Sequence, residues 1–423
     1  MYIGGEVVSK YIIHGGNKLE GEVQVSGAKN SVLPILAATV ISGETSRISN
    51  IPRLRDVEVM TEILTSIGAK ISKDSHGLVI DSKPINSIHL PEELVREMRS
   101  SIILMGALLA RFGETIVTYP GGCEIGPRPI DLHLKSLRQM GAIIEESHGF
   151  LHCKTTGLKG CDIQLDYPSV GATENIMLAA ATAKGTTIIR NAAREPEIID
   201  LQNYLNKSGA KIQGAGNSIM TIEGVSSLKA SDHRIIPDRI VTGTYMVAAA
   251  MTNGEIIIKD IIAENLQSII AKLRETGSMI TIDGNSMKVK AQNNISPIEM
   301  LQTLPFPGFP TDMQAQFMSL LSVAEGTSII NETVFENRFK HAEELVRMGA
   351  KIKTFGKVAV IKGTKELTGA TVFAKDLRGG AALVLGGLVA NGTTKVENIY
   401  HIQRGYENFD RILRSLGASI SCV

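Results

Sequence analysis

One pattern recurs six times along the 423-residue chain and restricts what the chain can fold into. A "G-x-x-x-(I/V)" strand start appears as "GETIVTYP", "GTTIIRN", "GEIIIKD", "GTSIINE" and "GTTKVEN", and as "GETSRIS" with the isoleucine one place later. Its first glycines, Gly43, Gly113, Gly185, Gly254, Gly326 and Gly392, lie about 70 residues apart, a period that marks one supersecondary unit per copy. A helix ending in glycine follows each, at Gly68, Gly141, Gly209, Gly277, Gly349 and Gly417. That is the position after a helix where a left-handed residue turns the chain into the next strand. Each unit reads as strand, helix, strand, helix, strand. The first helix of a unit is apolar nearly all round, as in "GATENIMLAAATAKG" and "GTYMVAAAMTNG". Such helices belong inside a core with sheets outside them. Six copies in two sets of three fit two similar domains with a cleft between them, a size division that the length also suits.

Composition narrows the function classes. Hydrophobic residues make up 43% and charged residues 21%, as in an ordinary folded soluble protein. A net charge of +1 argues against a protein that holds nucleic acid by bulk electrostatics. The first residues, "MYIGGEVVSKYIIHGG", carry no long apolar core, so no leader is expected. The most apolar helical run, "SIILMGALLA", is half the length a membrane span needs. Cys123, Cys153, Cys161 and Cys422 show no CxxC pair and no metal-ligand spacing. A reducing cytoplasm with free thiols is the expected compartment. Neither metal nor cofactor is expected, because no H-E-x-x-H, P-loop or dinucleotide fingerprint occurs. His133 and His401 read as hydrogen-bonded loop or helix residues.

The repeat also aligns the chain with itself. Fourteen residues before each strand glycine stand Lys29, Arg99, Gly171, Ile240 (with Arg239 beside it), Asp312 and Arg378. Each marks the start of an apolar helix. A helix N-terminus carries partial positive charge, so Lys29, Arg99 and Arg378 oppose the local preference, as functional residues often do. Cations beside helix N-termini suit phosphate or carboxylate ligands. Thirteen residues before each helix-ending glycine stand Arg55, Arg128, Pro196, Glu264, Glu336 and Arg404. If equivalent loops face one cleft, both series supply a cationic site for a multiply charged anion.

Two residues in these loops carry reactive groups. Cys123 sits in the glycine-rich turn "GGCEIGPRPID", five residues before Arg128. That cation is expected to draw the thiol below its ordinary value, which fits a proton donor or a nucleophile. Asp312 in "FPGFPTDMQAQF" is the one acid of the first series and a candidate general base.

The segments "SGAKNS", "MRSS", "PGGCEIGPRPIDLH", "SVGATENIMLAA", "NAAREPEI", "PDRIVTGTY", "FPTDMQAQ", "ETVFENRF", "DLRGGAALV" and "IYHIQRGYE" run from the first repeat to the last. Together they closely resemble the UDP-N-acetylglucosamine enolpyruvyl transferase family of bacterial peptidoglycan synthesis. The resemblance implies an α/β fold described as a two-domain inside-out α/β barrel, with three strand-helix repeats per domain, buried helices and outer sheets. It implies one domain over 29–236 and a second built from 1–28 and 237–423, with the active site in the cleft between them and the Cys123 loop as a lid.

The implied reaction moves enolpyruvyl from phosphoenolpyruvate to the sugar 3-hydroxyl and releases phosphate, by addition and then elimination. The resemblance makes Cys123 the proton donor to the methylene carbon and Asp312 the acceptor of the hydroxyl proton. Lys29, Asn30, Arg128 and Arg404 are implied to hold phosphoenolpyruvate. Arg99, Arg128, Pro129, Ile130, Asp131, Leu132, Tyr167, Ser169, Val170, Gly171, Asp312 and Val334 are implied to hold the UDP-sugar. Arg239, Arg338 and Arg378 support the cationic field. Some members carry a lysine just before "SVGAT"; Tyr167 and Pro168 stand there in this chain, and neither supplies that charge. The partners expected are the two small-molecule substrates, without nucleic acid or membrane insertion. Two alternatives share the fold: the sister transferase for shikimate 3-phosphate, whose family lacks the cysteine loop, and a sugar-nucleotide sensor, which needs neither Cys123 nor Asp312.

Overall fold

The computed structural model describes residues 9–75, 77–121, 130–292 and 294–423. Apolar helices recur at α1 (Lys29–Ser42), α2 (Leu104–Phe112), α3 (Val170–Ala180), α4 (Arg239–Met251), α5 (Gln314–Leu321) and α6 (Leu377–Val389). Their composition leaves no polar stripe to face water, so they bury on all sides: every residue of α3 from Ala172 to Ala180 is buried. The second helix of each repeat is amphipathic, as in Arg55–Ser66 and Pro196–Lys207. All six glycines that follow these second helices take positive φ, between 93° and 110°, where a side chain would be strained.

In five of the six repeats the last strand of the sequence pattern is a pair of strands. The glycine-terminated helix is followed by a tight hairpin of two strands, such as Lys70–Lys73 with Leu78–Asp81. The turns between hairpin strands carry glycines of positive φ, as at Gly284 and Gly356, a local turn signal that the 70-residue repeat pattern does not resolve. Five of the sheets run in a common spatial order. A parallel edge strand comes first, followed by the strand after the buried helix and then by two further antiparallel strands. In the sheet of Glu255–Lys259, the parallel edge is Glu20–Gln24.

The last repeat lacks its second hairpin strand at the C-terminal end. Tyr11–His14 fills that place, pairing antiparallel with both Thr393–Glu397 and Ser419–Cys422. The first repeat is completed in a similar way by His233–Arg234, which runs parallel to Thr45–Ser49.

The sheets do not form the expected barrel. There are seven, of two to four strands, and among the described residues none closes on itself. A barrel needs a hydrogen-bond ladder that continues around the ring. Here the covalent chain passes from sheet to sheet through the buried helices, while each ladder stops at a short edge strand such as Asp162–Gln164 or Met300–Gln302.

Residues 27–121 and 130–236 cluster as one compact unit, and residues 9–26 and 237–423 as another. Each has its own core. One is built on Leu36, Leu108, Met177 and Leu201, the other on Tyr245, Phe317, Leu385 and Phe409. No helix among the described residues is long and apolar enough to cross a membrane.

Candidate active site

In the unit that holds 237–423, the acid of the first series sits between two arginines. Pro310 leads into a tight turn, Thr311–Met313, that precedes α5. Asp312 therefore lies within a 3-10 turn that precedes the α-helix itself. Its Oδ1 accepts from Arg338 Nη2 at 2.6 Å, and its Oδ2 accepts from Arg378 Nη2 at 3.0 Å and Nε at 3.2 Å. The Arg338 and Arg378 side chains are only 4% and 3% exposed, against 27% for Asp312. These are buried charges with an assigned partner, unlike solvated helix-start cations. Burial disfavours the Arg378 charge, but Asp312, then Tyr406 and Asp238, outweigh it and hold the guanidinium above its ordinary value.

The backbone around this cluster is also tied down. Asp376 caps α6, its Oδ1 accepting from Arg378 N and Gly379 N at 2.9 Å each. Asp238 caps α4 by accepting from Ile240 N at 2.8 Å and Val241 N at 3.0 Å. These caps supply the negative charge that the helix starts favour, so arginines can follow them. Arg239 places its Cζ 5.7 Å from the Phe306 ring centre, within cation–π range. Val334 N donates to Glu332 Oε1 at 2.8 Å. Arg404 is half-buried after the short helix Tyr400–Gln403.

The other unit assembles a second group. Lys29, the first residue of α1, donates to Asp56 Oδ2 at 3.0 Å, with side chains 13% and 5% exposed. Asn30 follows it, half-buried. Ser169 caps α3, its hydroxyl accepting from Ala172 N at 3.3 Å. Gly171 lies against His133: a Cβ there would stand 3.1 Å from the imidazole Cε1. The Asn175 amide donates to His133 Nδ1 at 2.9 Å and to Ile102 O at 3.0 Å, while its Oδ1 accepts from Gly106 N at 2.6 Å. Burial, then the Arg99 charge, pushes His133 down to about 4. The imidazole is thus a neutral packing group that joins the α3 start to the helix Asp131–Gln139. Arg99 opens a 3-10 turn, Arg99–Ile103. Ile130 is buried, Leu132 half-buried, and Asp131 and Tyr167 exposed; Val170 is half-buried at the start of α3. Cys123, Arg128 and Pro129 lie outside the described residues.

Sequence position alone misjudged one cation and missed several acids. Arg55, in the second series, spends its guanidinium on Glu97 at 2.6 Å and Glu62 at 2.7 Å on an exposed face. Asp56 beside it is the buried partner of Lys29. The signal was present as an acid in the first turn of an amphipathic helix, but only the fold joins residues so far apart. Cys153 is buried, and burial pushes its thiol up to about 12, as befits core filler.

A family model described as EPSP synthase (3-phosphoshikimate 1-carboxyvinyltransferase) matches residues 13–413. A UDP-N-acetylglucosamine 1-carboxyvinyltransferase 2 of Caldanaerobacter subterraneus subsp. tengcongensis is 55% identical over 413 residues, covering 98% of this chain and 99% of the relative. The chain belongs to the UDP-N-acetylglucosamine 1-carboxyvinyltransferase family. Among solved structures, the enolpyruvyl transferase NikO from Streptomyces tendae aligns with a TM-score of 0.89 at 26% identity, covering 98% of this chain and 99% of that one. An EPSP synthase from Acinetobacter baumannii aligns with a TM-score of 0.76 at 17% identity, covering 99% and 100%, and shares the fold. Within the 1-carboxyvinyltransferase family, then, the fold reaches across acceptors.

Proposed function

We propose that the chain transfers the enolpyruvyl group of phosphoenolpyruvate to the 3-hydroxyl of UDP-N-acetylglucosamine and releases phosphate, in peptidoglycan synthesis. The observation that carries this reading is the 55% identity, end to end, to a relative of that description. The fold-level likeness to an EPSP synthase is far weaker in sequence, at 17% identity.

The chemistry asks for an acid at the methylene carbon, an acceptor for the hydroxyl proton and fixed cations for an intermediate bearing phosphate and carboxylate. Cys123 is the acid in this reading and Asp312 the acceptor. Asp312 shares its charge with Arg338 and Arg378, so it suits a proton that becomes acidic only as the sugar oxygen bonds to C2. Lys29, Arg128 and Arg404 hold the phosphate and carboxylate, and Asn30 helps orient the intermediate. Asp56 fixes the Lys29 ammonium at 3.0 Å before any substrate arrives. Cations set in place beforehand stabilise developing charge without reorganising during the reaction. Arg99, 128–132, Tyr167, Ser169, Val170, Gly171 and Val334 take the UDP-sugar, and Arg239 supports the anionic end. In this reading the chain works in the cytoplasm.

The test is phosphate release from phosphoenolpyruvate with UDP-N-acetylglucosamine or shikimate 3-phosphate as acceptor. Release that depends on the sugar nucleotide is the expected result. Release with shikimate 3-phosphate alone, or with neither, overturns the reading.

A further inference from the structure

Two positions, Tyr119 and Glu332, break a pattern that the repeat sets elsewhere. The strand after each buried helix is followed by Asn50, Tyr119, Asn191, Asp260, Glu332 or Asn398. Asn50, Asn191, Asp260 and Asn398 turn the chain with φ of 57°, 56°, 59° and 59°. Asn50 and Asn191 also donate an amide hydrogen to the segment beyond the parallel edge strand, to Ile235 O at 2.9 Å and Leu165 O at 3.0 Å. The longer Glu332 is fully buried, with 0% exposure.

Its carboxylate accepts from four donors. Oε1 accepts from Thr303 Oγ1 at 2.9 Å, Val334 N at 2.8 Å and Phe335 N at 3.1 Å. Oε2 accepts from Thr311 Oγ1 at 2.8 Å. A buried carboxylate is costly unless such bonds replace water, so the donors and the acid hold one another in place. Thr311 precedes Asp312, and the loop through Val334 and Phe335 goes on to Arg338, which donates to Asp312 at 2.6 Å. The circuit is closed: Glu332 to Thr311, Asp312 to Arg338, and back along the chain to Phe335 and Glu332.

We propose that Glu332 is a positioning residue for the transfer reaction, fixing the Thr311–Asp312 turn against the 333–335 loop. It thereby sets where the Asp312 carboxylate and the Val334 backbone stand. This rests on the reading of function given above. A carboxylate is suited to the task because a glutamine offers one acceptor atom to the same four donors.

The test compares Glu332→Gln, Thr311→Val and Thr311→Ser with the wild-type enzyme, varying each substrate in turn and recording circular dichroism and thermal midpoints. Glu332→Gln is expected to lower kcat about 10- to 100-fold, the loss that misplacing a reacting group commonly causes. It is also expected to raise KM for UDP-N-acetylglucosamine more than KM for phosphoenolpyruvate. Thr311→Val, which removes only the link to the acid's turn, lowers kcat with little change in either KM, and Thr311→Ser retains kcat. If Glu332→Gln does not fold, the Thr311 pair decides. Folded Glu332→Gln with wild-type kcat and KM, or Thr311→Val and Thr311→Ser that behave alike, overturns this proposal alone. A wild-type enzyme without sugar-dependent turnover overturns the functional reading, and this proposal with it.

Discussion

Asp312 carries its charge between two arginines that are almost wholly buried. Removing that charge leaves two guanidiniums in the protein interior without their shared carboxylate. Asp312→Asn is therefore expected to cost stability as well as turnover. Breaking a buried pair costs roughly 3–5 kcal/mol, and the partial exposure of Asp312 places this case nearer 2 kcal/mol. Loss of a proton acceptor lowers kcat by about 100-fold or more. A denaturant midpoint and a steady-state assay on the same sample separate the two effects, and unchanged kcat removes the acceptor role. Asp312 stood out in the sequence because it is the only acid in a series of helix-start cations. Its partners were harder to read. Arg338 and Arg378 lie 26 and 66 residues away, and no local spacing announces that they converge. Asp56 and Glu332 were missed for the same reason: each looks like an ordinary acid until the fold brings its donors to it.

The helices and sheets were largely legible because the repeat states them six times. Each copy places an apolar run before a strand glycine and an amphipathic helix before a second glycine, and the structure forms both helices in each copy. Two features escaped. The hairpin after the second helix divides one apparent strand into two at a short turn that carries glycine, as at Gly284, a local signal finer than the repeat pattern. The barrel was also mistaken, because repeat patterns report elements and not whether their ladders join. Edge strands as short as His233–Arg234 end the sheets, and the buried helices carry the chain between them. Tyr11–His14 illustrates the limit of local reading. Its alternating burial identifies a strand, but nothing near it in the sequence says that its neighbours are Thr393–Glu397 and Ser419–Cys422.

Across the molecule, buried ionisable groups give the two compact units different responses to acid. His341 lies among residues 237–423, and burial, opposed by Asp376 and reinforced by Arg338, pushes it down to about 4. The unfolded chain protonates this histidine near 6.5, so it binds more protons than the native state between those values. Stability is complete above the unfolded value and is lost as pH falls toward the folded one, by about 1.4 kcal/mol per pH unit. In the other unit His133 behaves in the same way. There it is opposed by Glu174, whose carboxyl is held well above its usual range by burial, then by Glu197 and Glu195. That carboxyl contributes a slope of the opposite sign, losing stability as pH rises through its raised range. Hydrogen exchange between pH 6.5 and 4.5, corrected for intrinsic rates, should show α5 losing more protection than α3. His341→Asn should flatten the α5 response, and equal loss in both helices contradicts this assignment. The central claim is transfer by addition and elimination to UDP-N-acetylglucosamine, and the most direct test is to run the reaction in deuterium oxide and examine the sugar nucleotide by mass spectrometry and NMR. Protonation of the methylene carbon followed by loss of a proton predicts an enolpyruvyl ether on the 3-oxygen with solvent deuterium in its vinyl methylene. A sugar nucleotide recovered unchanged, or an ether without that deuterium, contradicts the account.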